Sequence, residues 1–258
     1  MELLRFLWDP RMQHFDCETL VTSPHITPLQ LLSVRTVLFL YAFVVLVATI
    51  STGTPFYGYF TDWTLLGINM YLLSAIINSA IYIYAPDSLA KMNNRSVLIR
   101  YMNWLLYVIP ATCCYIVSIV YWTLIYPKSS HNDIFLLRVT CSQHAANSII
   151  MIIELMFARV PLSYGHLPPF LVVAIMYLGI SEIFHMQAGI WAYNFLDTSK
   201  PFAWAYYLGV SIFFVIVFFI MTTVHFARDA RRERLNLKPL VANFDTDDGF
   251  RSAKYEMT

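Results

Sequence analysis

The chain has 258 residues, of which 58 % are hydrophobic and only 13 % are charged, and its mean hydropathy is +0.57. A soluble globular domain carries roughly twice that share of charged residues, so the composition excludes a soluble protein and predicts an integral membrane protein. The formal net charge of +1 argues against a nucleic-acid partner, which would need a clustered basic surface.

Hydropathy divides the chain into three parts, of which the middle one crosses the membrane. Residues 1–33 contain several prolines and predict a loosely ordered cytosolic segment. Residues 34–226 predict a polytopic, all-α domain, a bundle of six transmembrane helices. Its crossings are expected at residues 36–52, 63–85, 101–126, 141–159, 169–190 and 202–226. Residues 227–258 predict a basic, largely disordered cytosolic tail.

Charges in the loops predict the orientation. Six crossings place both termini on one side of the membrane, and arginine and lysine concentrate on that side, whereas the other side has Lys128, Arg138 and Lys200. Positively charged loops stay in the cytosol, so both termini are expected to be cytosolic. The apolar run from Leu3 to Trp8 is too short for a cleavable signal peptide, which leaves the first span as the signal anchor.

The fourth span is apolar but carries one polar stripe. At about 100° per residue, its polar side chains fall within roughly 140° of one helix face; they are Gln143, His144, Asn147, Ser148 and Glu154. Unpaired polar groups are costly in hydrocarbon, so this face is predicted to point toward protein or a wet cavity. Ionisable groups at membrane depth are also candidates for function.

The topology assigns a depth to each polar residue near the span ends. Thr61 and Asp62 open the second span, His144 follows the start of the fourth, and Glu182 and His185 close the fifth. All five are therefore expected in the non-cytosolic half of the bundle, with Thr61, His144, Glu182 and His185 around one pocket.

One interpretation of this layer is nucleophilic catalysis. A threonine hydroxyl is a weak nucleophile until a neighbouring base takes its proton, and a histidine that titrates near neutrality suits that task. Thr61 would be the nucleophile and His144 its base. Asn147 or Gln143 could donate a hydrogen bond to an oxyanion.

Two other interpretations remain open for the same residues. Glu182 and His185 are three residues apart on one helix face, and with His144 they could bind a zinc- or iron-type metal ion. Alternatively, the polar side chains only form hydrogen bonds between helices. Such a bonding role is also predicted for Asn69 and Asn78, with Asn69 better placed to line a cavity. Glu154 is expected to reach the interface or to pair near Arg159.

Several segments resemble, in order and spacing, the androgen-induced membrane protein family, which includes the androgen-dependent TFPI-regulating proteins and fungal relatives. They are YFTDWTLLGINMYLL at 59–73, IYP at 125–127, QHAANSIIMIIEL at 143–155 and GIWAYNFLD at 189–197. RVP at 159–161 and LDTSKP at 196–201 are similar to the related rolling stone proteins. The resemblance covers roughly residues 31 to 226.

The resemblance implies a multi-pass protein of the endoplasmic reticulum or endomembranes that hydrolyses fatty acid esters of hydroxy fatty acids. By position, the family's threonine nucleophile falls on Thr61 and its histidine on His144, while His185 occupies a position where histidine is common. The implied partners are membrane lipids and a fatty-acyl ester substrate, with no cofactor and no bound metal. The rolling stone likeness implies a non-enzymatic scaffold or an adhesion or fusion factor instead, and a metal-dependent membrane enzyme is the third possibility.

Overall fold

The computed structural model describes residues 16–85, 87–126, 133–244 and 253–257. Its helices are α1 (Glu18–Val21), α2 (Pro28–Ser51), α3 (Phe60–Tyr84), α4 (Ser88–Asn93), α5 (Val97–Val120), α6 (Ile134–Cys141), α7 (Asn147–Phe157), α8 (Leu167–Ala188) and α9 (Ala203–Arg234). Strands β1 (Leu240–Phe244) and β2 (Ala253–Met257) pair antiparallel.

Five described helices are long and apolar enough to cross a membrane, which confirms an all-α, polytopic membrane protein. They are Pro28–Ser51, Phe60–Tyr84, Val97–Ile125, Tyr164–Ala188 and Ala203–Arg234. The predicted fourth crossing lies in a continuous helical stretch, 134–157, formed by α6, a π-helical turn (Ser142–Ala146) and α7. The polar residues of this stretch lower its hydropathy, so it is not among the five, and a count of six crossings stays a prediction.

The centre of the bundle is formed by α3 and α5. The most extensive packing joins α3 to α2 on one side and to α5 on the other, and α5 also contacts α7 and α9. Half of the apolar window of α3 and of α5 is buried, whereas α2, α8 and α9 turn most of their surface outward. Outward-facing apolar side chains suit a lipid environment and require no further protein partner.

The polar stripe of the fourth helical stretch faces inward, as its periodicity predicts. Gln143, His144, Asn147 and Glu154 are all buried, while Ile149 and Met156 are exposed on the opposite side. The cost of an unpaired polar group in hydrocarbon therefore fixes the rotation of this helix about its axis.

Glu154 pairs with Arg35 rather than near Arg159, which corrects the expected partner. The Arg35 guanidinium donates to both Glu154 carboxylate oxygens at 3.1 Å, and the Tyr71 hydroxyl donates to the same carboxylate at 2.6 Å. The two charged side chains are 0 % and 1 % exposed. Arg159 instead contacts Glu18 at 3.0 Å. The pairing joins α2 to α7 across 119 residues of sequence.

Both boundaries of the predicted transmembrane domain shift. Helix α2 begins at Pro28, because Thr27 and Gln30 form a reciprocal capping box ahead of it, and its apolar crossing is only part of the helix. Residues 16–27 of the amino-terminal segment are also folded: α1 buries Leu20 and Val21.

At the other end, α9 continues to Arg234, and Leu240–Phe244 and Ala253–Met257 of the tail form β1 and β2. The disorder predicted for the tail also covers residues 245–252, which lie outside the described residues. The extension of α9 has a clear cause: Arg228 donates to the carbonyl oxygens of Ala158 and Val160, and Arg232 to those of Met156 and Ala158. These are carbonyls at and after the end of α7, which have no partner within a helix.

Candidate functional site

Two adjoining cavities open at the end of the bundle where α2 and α5 finish and α3 and α6 begin. The polar cavity has a volume of about 370 Å³. Its polar wall consists of Thr49, Thr52, Thr54, Tyr59, Thr61, Asp62, Tyr121, Asp133, Thr140, Gln143, His144 and Tyr193. This is the end that the charge distribution predicts to be non-cytosolic.

The apolar cavity, of about 180 Å³, lies deeper between α3, α5, α8 and α9. Its wall is mostly aliphatic and aromatic, with Phe60, Ile116, Val117, Leu171, Leu178, Phe195, Val210 and Phe214 among its members. Four residues border both cavities, and three of them are polar: Thr61, His144 and Tyr193, with Ile125 as the fourth. The predicted nucleophile and base therefore lie together at the boundary between a polar and an apolar space.

Thr61 occupies the first turn of α3, which starts at Phe60. The side chain is 7 % exposed, and its hydroxyl lies 3.4 Å from the hydroxyl of Tyr193. Backbone N–H groups at the start of a helix carry partial positive charge. A negative charge that develops near Thr61 would therefore be stabilised by the helix itself.

His144 lies in the π-helical turn between α6 and α7 and stacks on Tyr121 of a second π-helical turn, Tyr121–Ile125, at the end of α5. The two rings are parallel within 3°, with centroids 3.7 Å apart. A π-helical turn displaces backbone carbonyls from the regular ladder, and the Ser118 hydroxyl bonds to the His144 carbonyl. Stacking on Tyr121 thus restrains the imidazole ring, and the bond from Ser118 restrains the backbone that carries it.

The Nδ1 atom of His144 is buried and has no hydrogen-bond partner in the described structure. Thr61 and His144 border the same two cavities, yet no direct hydrogen bond joins them in the described residues. A polar group in the cavity could accordingly bind between them. Catalytic contacts of this kind often tighten only when the substrate is bound.

Asp62 and Gln143 form the floor of the polar cavity. The Gln143 amide donates to the Asp62 carboxylate at 3.0 Å and to the Thr49 hydroxyl at 2.8 Å. Because both contacts use its amide nitrogen, Gln143 is engaged in orienting Asp62 rather than free to meet an oxyanion. Asn147 is buried, and its Nδ2 has no hydrogen-bond partner among the residues that the structure describes, but it borders neither cavity.

The structure does not bring Glu182 and His185 to this site, which corrects the prediction that four residues surround one pocket. Glu182 is exposed, and His185 stacks on Trp191 with ring centroids 4.1 Å apart. Neither residue borders either cavity. The loop that follows α8 folds back at this level, and its residues Tyr193 and Phe195 supply the cavity wall instead.

The metal interpretation loses its ligand set for the same reason. His144 is separated from Glu182 and His185, and the described residues contain no group of three or more His, Cys, Asp or Glu side chains that could hold a metal ion. The interhelical hydrogen bonds predicted for Asn69 and Asn78 are confirmed: Asn69 donates to the Ala42 carbonyl of α2, and Asn78 donates to Asn103 of α5. Asn69 borders neither cavity, although it was expected to be the better placed of the two to line one.

Tyr193 is the site residue that sequence reasoning missed. It belongs to the loop between α8 and α9, where its ring stacks on Phe195 and meets Tyr59 edge-on. Burial raises the pKa of Tyr193 to about 12, so its hydroxyl stays protonated at neutral pH and can donate a hydrogen bond. The only sequence signal was its place in the segment GIWAYNFLD, which carried no chemical pattern.

Comparisons of the chain with protein-family models, with curated proteins and with solved structures find no match. Membership of the androgen-induced membrane protein family therefore stays a prediction based on the quoted segments. The chemistry of the site has to be argued from the residues of this chain.

Proposed function

We propose that the protein is a multi-pass membrane hydrolase of lipid esters, of the endoplasmic reticulum or endomembranes, with both termini in the cytosol. Thr61 is the nucleophile and His144 the base. The observation that carries this proposal is the position of Thr61, His144 and Tyr193 at the boundary between the apolar and the polar cavity.

A lipid ester has the same division of polarity as the two cavities. Its acyl chain gains free energy by leaving water for an apolar cavity, and its alcohol portion keeps hydrogen bonds in a polar one. An ester bound in this way places its carbonyl group at the boundary, next to the Thr61 hydroxyl. In a fatty acid ester of a hydroxy fatty acid, the substrate class that the family resemblance implies, the acyl chain suits the apolar cavity. Its alcohol portion is a second alkyl chain with one carboxylate, and this carboxylate is the group that would lie in the polar cavity.

The proposed reaction has two balanced steps. The Thr61 oxygen attacks the ester carbonyl while His144 takes the hydroxyl proton; the tetrahedral intermediate then collapses, and His144 returns that proton to the departing alcohol. Water next attacks the acyl-threonine with His144 again as base, which releases the fatty acid and restores Thr61. Tyr193 donates a hydrogen bond to the oxyanion in both steps, and the positive end of the α3 dipole stabilises the same negative charge.

Hydrolysis of simple esters by the purified protein tests this proposal. We expect activity on a 4-nitrophenyl ester of a long-chain acid to exceed that on the acetate by at least about tenfold, because each buried methylene contributes roughly 0.8 kcal/mol. We also expect covalent labelling by a fluorophosphonate probe. A folded preparation that neither hydrolyses the long-chain ester nor reacts with the probe would rule out the hydrolase and favour a non-enzymatic role of the rolling stone kind.

Tyr193→Phe is expected to lower kcat for this ester about 10²-fold with little change in KM. Loss of one donor to an oxyanion has an effect of this order, since the contact strengthens as charge develops. The ring contacts with Tyr59 and Phe195 do not use the hydroxyl, so the fold should persist. Tyr57→Phe is the matched control: its hydroxyl donates to the Gln187 side-chain oxygen at 2.7 Å, and Tyr57 borders neither cavity. Equal losses in both variants would remove Tyr193 from the reaction.

A further inference from the structure

A third concave surface lies on the outside of the bundle, where α3 and α5 pack side by side. This groove, here called the α3–α5 groove, has a volume of about 310 Å³ and is separate from the two cavities of the proposed active site. Its polar members are Ser74, Asn78, Arg95 and Asn103, and its apolar members are Met70, Leu73 and Ile77.

The polar end of the groove is a connected set of hydrogen bonds that orients Arg95. The Arg95 guanidinium donates to the Asn78 side-chain oxygen at 3.2 Å. The Asn78 amide nitrogen in turn donates to Ser74 and to Asn103, each at 3.3 Å, and the Ser74 hydroxyl donates to Asn103 at 2.7 Å. Asn78 therefore has its oxygen and its nitrogen engaged, and it fixes the guanidinium at the mouth of the groove.

Arg95 carries a charge that this network does not neutralise. Each of its hydrogen-bond partners there is a neutral side chain, and no carboxylate of the described residues lies within ion-pair distance of it. A guanidinium has five N–H donors, and the bond to Asn78 occupies one. Several donors thus remain for an anion at this position.

The apolar end of the groove runs from Arg95 into the membrane. Met70, Leu73 and Ile77 are 52 %, 45 % and 50 % exposed on a helix that spans the bilayer, so they contact lipid. Arg95 lies in the short connection between α3 and α5, at the level of the headgroups. From Asn78 to Met70 the helix rises about 12 Å, at about 1.5 Å per residue. The groove therefore descends from the headgroup level into hydrocarbon, in the direction of an acyl chain.

We propose that the α3–α5 groove binds an anionic phospholipid, with its phosphate on Arg95 and one acyl chain along Met70, Leu73 and Ile77. Arginine and phosphate match in geometry because two parallel N–H groups can meet two oxygens. The apolar floor selects a lipid over a soluble phosphate. The site is independent of the proposed hydrolase activity.

Melting of the full-length protein in nanodiscs tests the proposal. In phosphatidylcholine discs, addition of phosphatidylglycerol is expected to raise the Tm of the wild type, while the same concentration of inorganic phosphate is not. Arg95→Gln should bind phosphatidylglycerol roughly five- to tenfold more weakly, which is the order of effect of one arginine near an anionic surface. The Tm rise should shrink accordingly.

Lys91→Gln is the matched control, because it removes one positive charge from the same connection at an exposed side chain outside the groove. It should keep the full response to phosphatidylglycerol. Equal losses for Lys91→Gln and Arg95→Gln would show diffuse attraction and overturn the proposal, as would an undiminished response of Arg95→Gln.

Leu73→Trp keeps the Arg95 charge but fills the groove with a larger side chain. It provides a second test of the proposal if the Arg95→Gln protein does not fold. It should lose the response to phosphatidylglycerol to the same extent as the Arg95 variant. A full response in a folded Leu73→Trp protein would exclude the groove as the place where the acyl chain binds.

Discussion

Thr61→Ala is expected to abolish fluorophosphonate labelling and to lower hydrolysis of a long-chain ester by at least about 10³-fold, the order seen when a nucleophile is removed from a unit of cooperating residues. The protein should still fold, because the Thr61 side chain makes one long contact, 3.4 Å to Tyr193. Labelling is read from a gel, and hydrolysis from the released alcohol. Thr61→Ser, which keeps a hydroxyl at the boundary of the two cavities, should retain measurable activity.

Thr64→Ala is the matched control for Thr61→Ala. Thr64 lies one turn further along α3, is equally buried and borders neither cavity; its hydroxyl donates to the carbonyl of Phe60 at 3.0 Å. Removal of the Thr64 hydroxyl should leave fluorophosphonate labelling intact. Undiminished labelling of Thr61→Ala would remove Thr61 as the nucleophile, and parallel losses in the two threonine variants would point to a folding effect.

Glu154→Ala is expected to lower the free energy of unfolding by about 3–5 kcal/mol, because it leaves the Arg35 guanidinium buried without its counter-charge. Arg35 is 0 % exposed and its remaining contacts, the Leu20 carbonyl and the hydroxyls of Ser79 and Tyr71, are neutral. Unfolding by denaturant in detergent micelles measures the change. The double variant Arg35→Met/Glu154→Leu removes both charges and fills the space. Its free energy of unfolding should therefore fall by much less than the sum of the decreases in the two single variants.

Arg159→Gln provides the control for this experiment. Its ion pair with Glu18 has a similar length, 3.0 Å, but its side chains are 27 % and 22 % exposed. Exposed pairs contribute about 0–1 kcal/mol, so the loss should be small. Comparable losses for Glu154→Ala and Arg159→Gln would show that burial does not raise the cost of breaking the pair in this protein.

The sequence was sufficient to predict those properties that depend on the residues of a single helix. The hydropathy of α2, α3, α5, α8 and α9 predicts membrane helices, because the cost of placing polar groups in hydrocarbon is paid locally. Periodicity likewise predicts that His144 and Glu154 face inward, since a helix with one polar stripe has one favourable rotation. Thr61 and His144 could be assigned to one level of the bundle because both lie near the predicted non-cytosolic ends of their spans.

Only the tertiary structure decided which of these residues meet. Arg35 and Glu154 are 119 residues apart, and their pairing depends on how α2 packs beside α7, which no local pattern specifies. Depth alone could not exclude Glu182 and His185 from the cavities, because the loop after α8 folds back and brings Tyr193 to Thr61 instead. A sequence fixes how far along a helix a side chain lies, whereas packing between helices and the return of loops determine its neighbours.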